Sequence, residues 1–258
     1  MRLSEEAQAH VAAMLARAYE FFRLNLNDKL PNVLPEECGY RPFGVEYSSA
    51  PNRPDQVESF TVTRRFGDSH SKLSSKRARL LSECMLTVFD ELECIAEAVT
   101  VELAQILSGK IVGDNLISAF HRWSRLQLNY SRPASIGSDL INDPHEDGTL
   151  ITLVGATGPG LEIQRRSGIY RQADSAYEKD VTILPGEIAS LLSGSLIAPR
   201  YHRVRRDYNL QERISFIFFG DIEPSLCQPW ISNDTNLGID IGQRILTNVK
   251  RFGLKGFA

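Results

Sequence analysis

The sequence predicts a mainly β protein, a sandwich or barrel of short strands with helices packed against it. Two observations carry that expectation. Between about Arg122 and Pro224 the runs RLQLNY, TLITLV, GLEIQ, DVTILPG, HRVR and RISFIFFG follow one another, separated by Gly, Pro, Asn and Asp. Short β-rich runs with turn residues between them read as strands rather than helices. Ahead of them, from Ser75 to Ser108, Leu81, Met85, Phe89, Leu92, Ala96, Val99, Leu103 and Leu107 recur at steps of three or four. That spacing makes one apolar stripe along a helix, suited to lying on a sheet.

Taken in chain order, MRLSEEAQAHVAAMLARAYEFF reads as an amphipathic helix with Glu5 and Glu6 in its first turn. It has no cleavage site after an apolar stretch and is not expected to be a signal peptide. The segment CGYRPFGVEYSSAPNRPDQVESFTV carries three prolines and reads as a shaped loop ending in a strand around Ser59 to Thr63. After the long helix come the strands, with Gly158, Pro159 and Gly160 expected to form a hairpin turn. A short helix is expected from Ile239 to Phe252, with Gly253 as its C-cap. No repeat or linker divides the chain, so one domain over residues 1–258 is expected: a helical N-terminal portion (1–110), a β core (111–225) and a C-terminal helix (226–258).

Bulk properties exclude several functions. A formal charge of −3 gives no reason to expect nucleic acid or an acidic membrane as partner, and RYHRVRR reads as part of a strand. No apolar run approaches the ~20 residues of a membrane span. Cys38, Cys84, Cys94 and Cys227 show neither CxxC spacing nor a dense framework, which points to a reducing, cytoplasmic setting.

The chemistry concentrates at a few positions. In DPHEDGTLITLV, His145 and Asp147 are two apart, so on an extended chain they share a face with Glu146 turned away. Chance alone supplies such a pair in roughly one chain in three of this composition, so the pair decides nothing by itself. His202 adds a second imidazole, with Val204 on its face and Arg203 and Arg205 turned outward. In ERISFIFFG, Arg213 and Ser215 again share a face. All these residues are expected on strands. Two imidazoles and a carboxylate on one face of an octahedron are the ligand set of a non-haem Fe(II) oxygenase. A fork-shaped guanidinium backed by a hydroxyl suits a carboxylate. A zinc-dependent hydrolase using the same ligands would leave Arg213 and Ser215 without a task. A non-catalytic binding protein would keep all five as satisfied barrel interior. His10, His70 and His121 have no partner at ligand spacing and read as surface or helix-end residues. Glu187 reads as structural.

In this ordered combination the chain resembles the isopenicillin-N-synthase-like Fe(II)/2-oxoglutarate-dependent dioxygenases. The resemblance is carried by PHEDGTLITLVGATGPGLEIQ, LPGEIASLLSGSLIAPRYHRV and RISFIFF, and extends upstream to LQLNY and GYRPFGVEYSSAPNRPDQVESF. It implies a double-stranded β-helix (jelly-roll) core, iron held by His145, Asp147 and His202, and the distal carboxylate of 2-oxoglutarate held by Arg213 and Ser215. It also implies that Asn129 lies near the chelating end of that cosubstrate. Dioxygen would convert 2-oxoglutarate to succinate while a small organic substrate is oxidised, most simply by hydroxylation. The presence of Asp147 argues against a halogenase, which needs that coordination position for chloride.

Three features depart from the family. Ser131 stands where a tyrosine is usual, the interval from His202 to Arg213 is slightly long, and the chain starts late, which leaves the substrate mouth more open. The first two keep an oxidase of the same fold in view, in which Arg213 and Ser215 grip the substrate itself. The loops Gly39 to Pro54 and Arg165 to Tyr177 are the expected substrate lining. The C-terminal helix, with Phe252 and Phe257, is expected to close the mouth as a lid. Natural-product or amino-acid tailoring is the expected setting.

Overall fold

The computed structural model describes residues 1–34, 38–50, 52–64, 70–106, 123–132, 139–173, 175–221, 230–231, 238–240 and 243–244. His121, Cys227 and nearly all of the expected C-terminal helix, including Phe252, Gly253 and Phe257, lie outside the described residues.

The N-terminal portion forms as its periodicity demands. Helix α1 (Glu5–Phe22) starts at Ser4, whose Oγ accepts the Ala7 N–H at 3.1 Å, and buries Val11, Met14, Ala18, Phe21 and Phe22 on one side. A short helix α2 (Leu26–Lys29), strand β1 (Gly39–Arg41) and strand β2 (Glu58–Thr63) follow. Helix α3 (Lys76–Ile106) buries Leu81, Met85, Phe89, Leu92 and Ala96, which is the stripe expected from the sequence. Among the described residues no helix is long and apolar enough to cross a membrane.

The remaining elements are β3 (Arg125–Ser131), β4 (Leu140–His145), β5 (Ile151–Ala156), β6 (Leu161–Gln164), β7 (Tyr170–Gln172), β8 (Thr182–Pro185), α4 (Glu187–Leu192), β9 (His202–Arg205), β10 (Arg213–Gly220), β11 (Trp230–Ile231) and β12 (Gly238–Ile239). They form a six-stranded sheet ordered β1-β2-β3-β10-β5-β8 and a four-stranded sheet ordered β4-β9-β6-β7, with β11 and β12 paired apart. Every strand pair is antiparallel. From β3 to β10 the chain passes repeatedly from one sheet to the other.

That alternation corrects two readings. Gly158 to Gly160 is not a hairpin turn, because β5 and β6 belong to different sheets and the segment carries the chain across between them. The run TLITLV enters its strand only at Ile151. The three-residue β7 and the six-residue α4 carried no clear periodicity and were not anticipated, while β4 carries His145 on a strand as expected but starts at Leu140 and is distorted by register shifts. Ile239, expected to open a helix, ends β12.

The six-stranded sheet separates two environments, because side chains alternate along each strand. Leu126, Leu128 and Tyr130 of β3 and Ile214, Phe216 and Phe218 of β10 face α1 and α3 and are fully buried there. Phe89 meets Phe218 edge to face at 5.1 Å, and Phe22 stacks on Tyr130 at 4.9 Å. Gly155 is required on this side, since a Cβ there would lie 2.0 Å from the Phe216 ring. The opposite parity, Arg125, Gln127, Asn129 and Ser131 with Arg213, Ser215 and Ile217, faces the four-stranded sheet.

Phe218→Ala leaves a void between α3 and the sheet. It is expected to lower unfolding stability by about 3–5 kcal/mol, read from the shift of the urea denaturation midpoint.

Candidate metal centre

His145 is the last residue of β4 and His202 the first of β9, and the two are cross-strand partners. Pairing brings their rings to 4.3 Å between centroids. Asp147 does not continue that strand, as an alternating extended chain would require. It sits in the turn after β4, and backbone hydrogen bonds rather than strand geometry hold it. Its carbonyl accepts the Glu187 N–H at 2.8 Å, Thr149 O accepts from Ile188 at 3.1 Å, and Leu150 O accepts from Gly186 at 3.2 Å. The first turn of α4 thus docks onto the Asp147 loop. A Cβ at Gly186 would lie 2.1 Å from Thr149 O and 2.9 Å from Asp147 O, so only glycine permits that approach. Glu187 is structural, as expected: besides its backbone contact, its carboxylate pairs with Arg244.

The three side chains converge. Asp147 Oδ1 lies 3.6 Å from His145 Nε2, and Asp147 Oδ2 lies 3.7 Å from His202 Nε2. Each imidazole has its Nδ1 turned to a backbone carbonyl, His145 to Asp143 O at 2.6 Å and His202 to Arg200 O at 2.9 Å. A carbonyl only accepts, so each Nδ1 carries the proton and donates. Each Nε2 then presents a bare lone pair toward the carboxylate. Burial holds His202 below the ordinary histidine range, against the opposing pull of Asp147, and so favours the neutral ligand form. Asp147 Oδ2 is buried with no hydrogen-bond donor. Ligand bonds of about 2.1 Å place neighbouring ligands of an octahedral ion about 3 Å apart, and one ligand atom from each of the three side chains lies within 4.8 Å of the others. The donor set therefore fits a divalent cation such as Fe(II).

The cluster opens on a cavity of about 950 Å³, mouth included, lined from both sheets. Asn129 and Ser215, cross-strand partners on β3 and β10, are on its wall. Arg213 is not. Its guanidinium lies behind that wall, buried, donating from Nη1 to Ser215 Oγ at 2.5 Å and from Nε to Pro159 O at 2.7 Å, with Nη2 unpartnered. Desolvation lowers its pKa to about 10, the signature of a cation without an anion beside it. Of the two expected lining loops, the first contributes Glu46, Tyr47 and Ser48 to the cavity, whereas Gln172, Ala173, Ser175 and Tyr177 of the second line a smaller space beside Arg213. His10 and His70 stand apart, each 3.3 Å from a glutamate, Glu91 and Glu83 respectively.

Sequence reasoning did not single out the far wall. Gln127 Nε2 donates to Glu46 Oε2 at 3.0 Å and to Asn129 Oδ1 at 2.7 Å, while Ser59 Oγ donates to Glu46 Oε1 at 2.9 Å. Asp55 accepts from Ser48 Oγ at 2.7 Å. Arg125 stacks on Phe219 at 4.5 Å and lies 4.0 Å from Asp221. Burial raises Glu46 above the ordinary carboxylate range and Asp55 to about 6. The alternation of Arg125, Gln127, Asn129 and Ser131 with apolar neighbours was a readable signal for part of this wall. Glu46, Asp55 and Asp221 had none, because they arrive from loops and a strand end.

No known sequence-family profile matches the chain, and no curated protein matches it by sequence. Solved structures do match. A full-length Neurospora crassa protein, in complex with alpha-KG, superposes with a TM-score of 0.74 at 19% identity, over 97% of this chain and 84% of that one. JOX2 in complex with 2OG, Fe and JA gives 0.73 at 19% identity, over 93% and 74%. A protein from Caulobacter crescentus, named for the 2OG-Fe(II) oxygenase family, gives 0.73 at 19% identity, over 94% and 86%. The fold is that of the 2OG-Fe(II) oxygenases. At such identities the likeness is one of fold, and the His145, Asp147 and His202 cluster is this chain's own geometry.

Two expectations follow. Gly186→Ala displaces the Asp147 loop and lowers metal affinity by about 10- to 100-fold, the range for lost outer-sphere support, measured by competition with a chelator. The second concerns pH. Asp55 has a folded-state pKa of about 6 against an ordinary 3.8, so the folded state binds its proton more tightly. Its contribution to stability is present below the ordinary value and is lost as pH rises through about 6. Asp55→Asn should therefore gain stability relative to the wild type across that window, as read from paired denaturation curves.

Proposed function

We propose that the protein is an Fe(II)- and 2-oxoglutarate-dependent dioxygenase that oxidises, most simply hydroxylates, a small organic molecule. The observation that carries this reading is the convergence of two imidazole nitrogens and a carboxylate on a cavity whose wall hides an unpaired guanidinium. His145, Asp147 and His202 are the metal ligands. Arg213 and Ser215 hold the distal carboxylate of 2-oxoglutarate, and Asn129 faces its chelating end. The exchange of strands between two antiparallel sheets is read here as a double-stranded β-helix, or jelly roll. When bound, the iron supplies the reaction of dioxygen and the oxidising power. The chain supplies three fixed ligands, a carboxylate receptor and a cavity walled by both sheets.

The cavity is lined by a mixture of apolar and polar side chains, as sites for small organic molecules are. Arg213 and Ser215 lie near the Ser131 end of β3. Gln127, with Glu46 bonded to it, and the Arg125–Asp221 pair lie toward its other end, which leaves them for the substrate. The neighbours' own ligands, thymine for the Neurospora crassa protein and JA for JOX2, are small molecules and support that class. Natural-product or amino-acid tailoring is the setting we assign, by analogy of fold.

The deciding experiment is succinate formation from 2-oxoglutarate by Fe(II)-loaded protein in the presence and absence of dioxygen. Oxygen-dependent succinate is expected, and Asp147→Ala should reduce it by more than about 100-fold, since a ligand matters at least as much as its outer-sphere support. Substrate turnover without succinate would replace this reading with an oxidase of the same fold. Turnover under strict anaerobiosis would replace it with a hydrolase.

A further inference from the structure

A second guanidinium is buried beside Arg213. Arg206 follows β9 directly, and parity along that strand turns it inward with His202 and Val204. It is 8% exposed and Arg213 is 4% exposed. Arg206 Nη1 donates to the carbonyl of Arg132 at 2.6 Å, and its Nη2, like that of Arg213, is buried without a partner. The two arginines come from opposite sheets, yet both line one small space of about 210 Å³ together with Ser131, Ile141 and Leu210. The acids bordering that space are engaged elsewhere. Glu212 accepts from Arg23 and from Tyr130, and Asp207 accepts from the backbone and side chain of Asn209. Neither arginine has an ion pair among the described residues.

Two buried cations sharing a space repel, and each orphaned donor adds its own desolvation penalty. An anion between them removes both costs. Ser131 makes the arrangement possible. It is the cross-strand partner of Arg213, and its side chain is small enough to leave open the space into which a larger residue would project.

We propose that Arg206 is a second arm of the cosubstrate clamp, gripping the distal carboxylate of 2-oxoglutarate jointly with Arg213 in the room that Ser131 leaves. The inference rests on the reading of the site given above and adds to it a residue on the four-stranded sheet. The carboxylate would then tie the two sheets together through one arginine from each.

The test is calorimetric titration of the metal-loaded protein, under anaerobic conditions, with 2-oxoglutarate and with pyruvate. Pyruvate keeps the 2-oxoacid end and lacks the distal carboxylate. Wild type should prefer 2-oxoglutarate. Arg206→Met should weaken 2-oxoglutarate by about 10- to 100-fold, the loss of one or more charge-assisted hydrogen bonds, and leave pyruvate within about twofold. Arg206→Lys keeps the charge but not the fork, and should lower the preference by a smaller factor. If Arg206→Met binds 2-oxoglutarate like wild type while Arg213→Met does not, Arg206 only pins the Arg132 carbonyl and the inference is overturned. Should the methionine variant fail to melt cooperatively, the lysine variant decides: an unchanged preference overturns the inference. A wild-type protein that does not distinguish the two oxoacids removes the cosubstrate reading itself, an outcome separate from the failure of Arg206.

Discussion

Two imidazoles and a carboxylate aimed at one another inside a protein form an arrangement that suits a divalent cation. Both Nδ1 atoms are already committed to backbone carbonyls, which leaves each Nε2 turned toward the Asp147 carboxylate. Three independent devices keep these acceptors together. Antiparallel pairing of β4 with β9 sets the two rings opposite each other. The carbonyls of Asp143 and Arg200 orient the rings. The start of α4, brought close by Gly186, fixes the turn that carries Asp147.

The six-stranded sheet makes the rest possible by being two surfaces at once. Its helix-facing side is a dry layer in which α1 and α3 pack on aromatic rings from β2, β3 and β10. Because that side is rigid, the side chains of opposite parity are presented to the cavity from a fixed platform, which suits a site that must hold geometry closely. Along β3 the cavity-facing residues change character. Ser131 lies at the arginine end, while Gln127 bonds Glu46 and Arg125 approaches Asp221. At about 3.3 Å per residue Ser131 and Gln127 are separated by roughly 13 Å, enough for an anionic cosubstrate at one and a separate substrate at the other. The metal cluster sits across from this strand, on the four-stranded sheet.

This polarity is stored as unfavourable electrostatics. Glu46 and Asp55 are raised and Arg213 is lowered, all chiefly by desolvation, so burial opposes the charge on each. Groups in that condition lose little by meeting a ligand, since they were already dried during folding. Elsewhere the buried charges are neutralised internally. Lys29, Glu58 and Tyr40 form a closed network beneath α1, and Arg203 pairs with Glu162 on the outer face of the small sheet.

What the amino-acid sequence determined by itself is everything that period and composition control. The helical stripe of α3, the strands of β3, β9 and β10, and the inward parity of His202, Arg213 and Ser215 follow from local repetition, and the structure keeps them. The candidate metal-binding residues were legible for a related reason: rare residue types in a fixed order. Tertiary structure alone decided how Asp147 reaches the two imidazoles, since its place depends on backbone hydrogen bonds to α4, a distant part of the chain, rather than on strand alternation. It also decided that β5 and β6 part into different sheets, that Arg213 stands behind Ser215 instead of on the wall, and that Arg206 and Glu46 arrive where they do. Those outcomes turn on which sheet a strand joins and which loop folds over it. Such choices are made by contacts between residues far apart in the chain, and no local pattern encodes them.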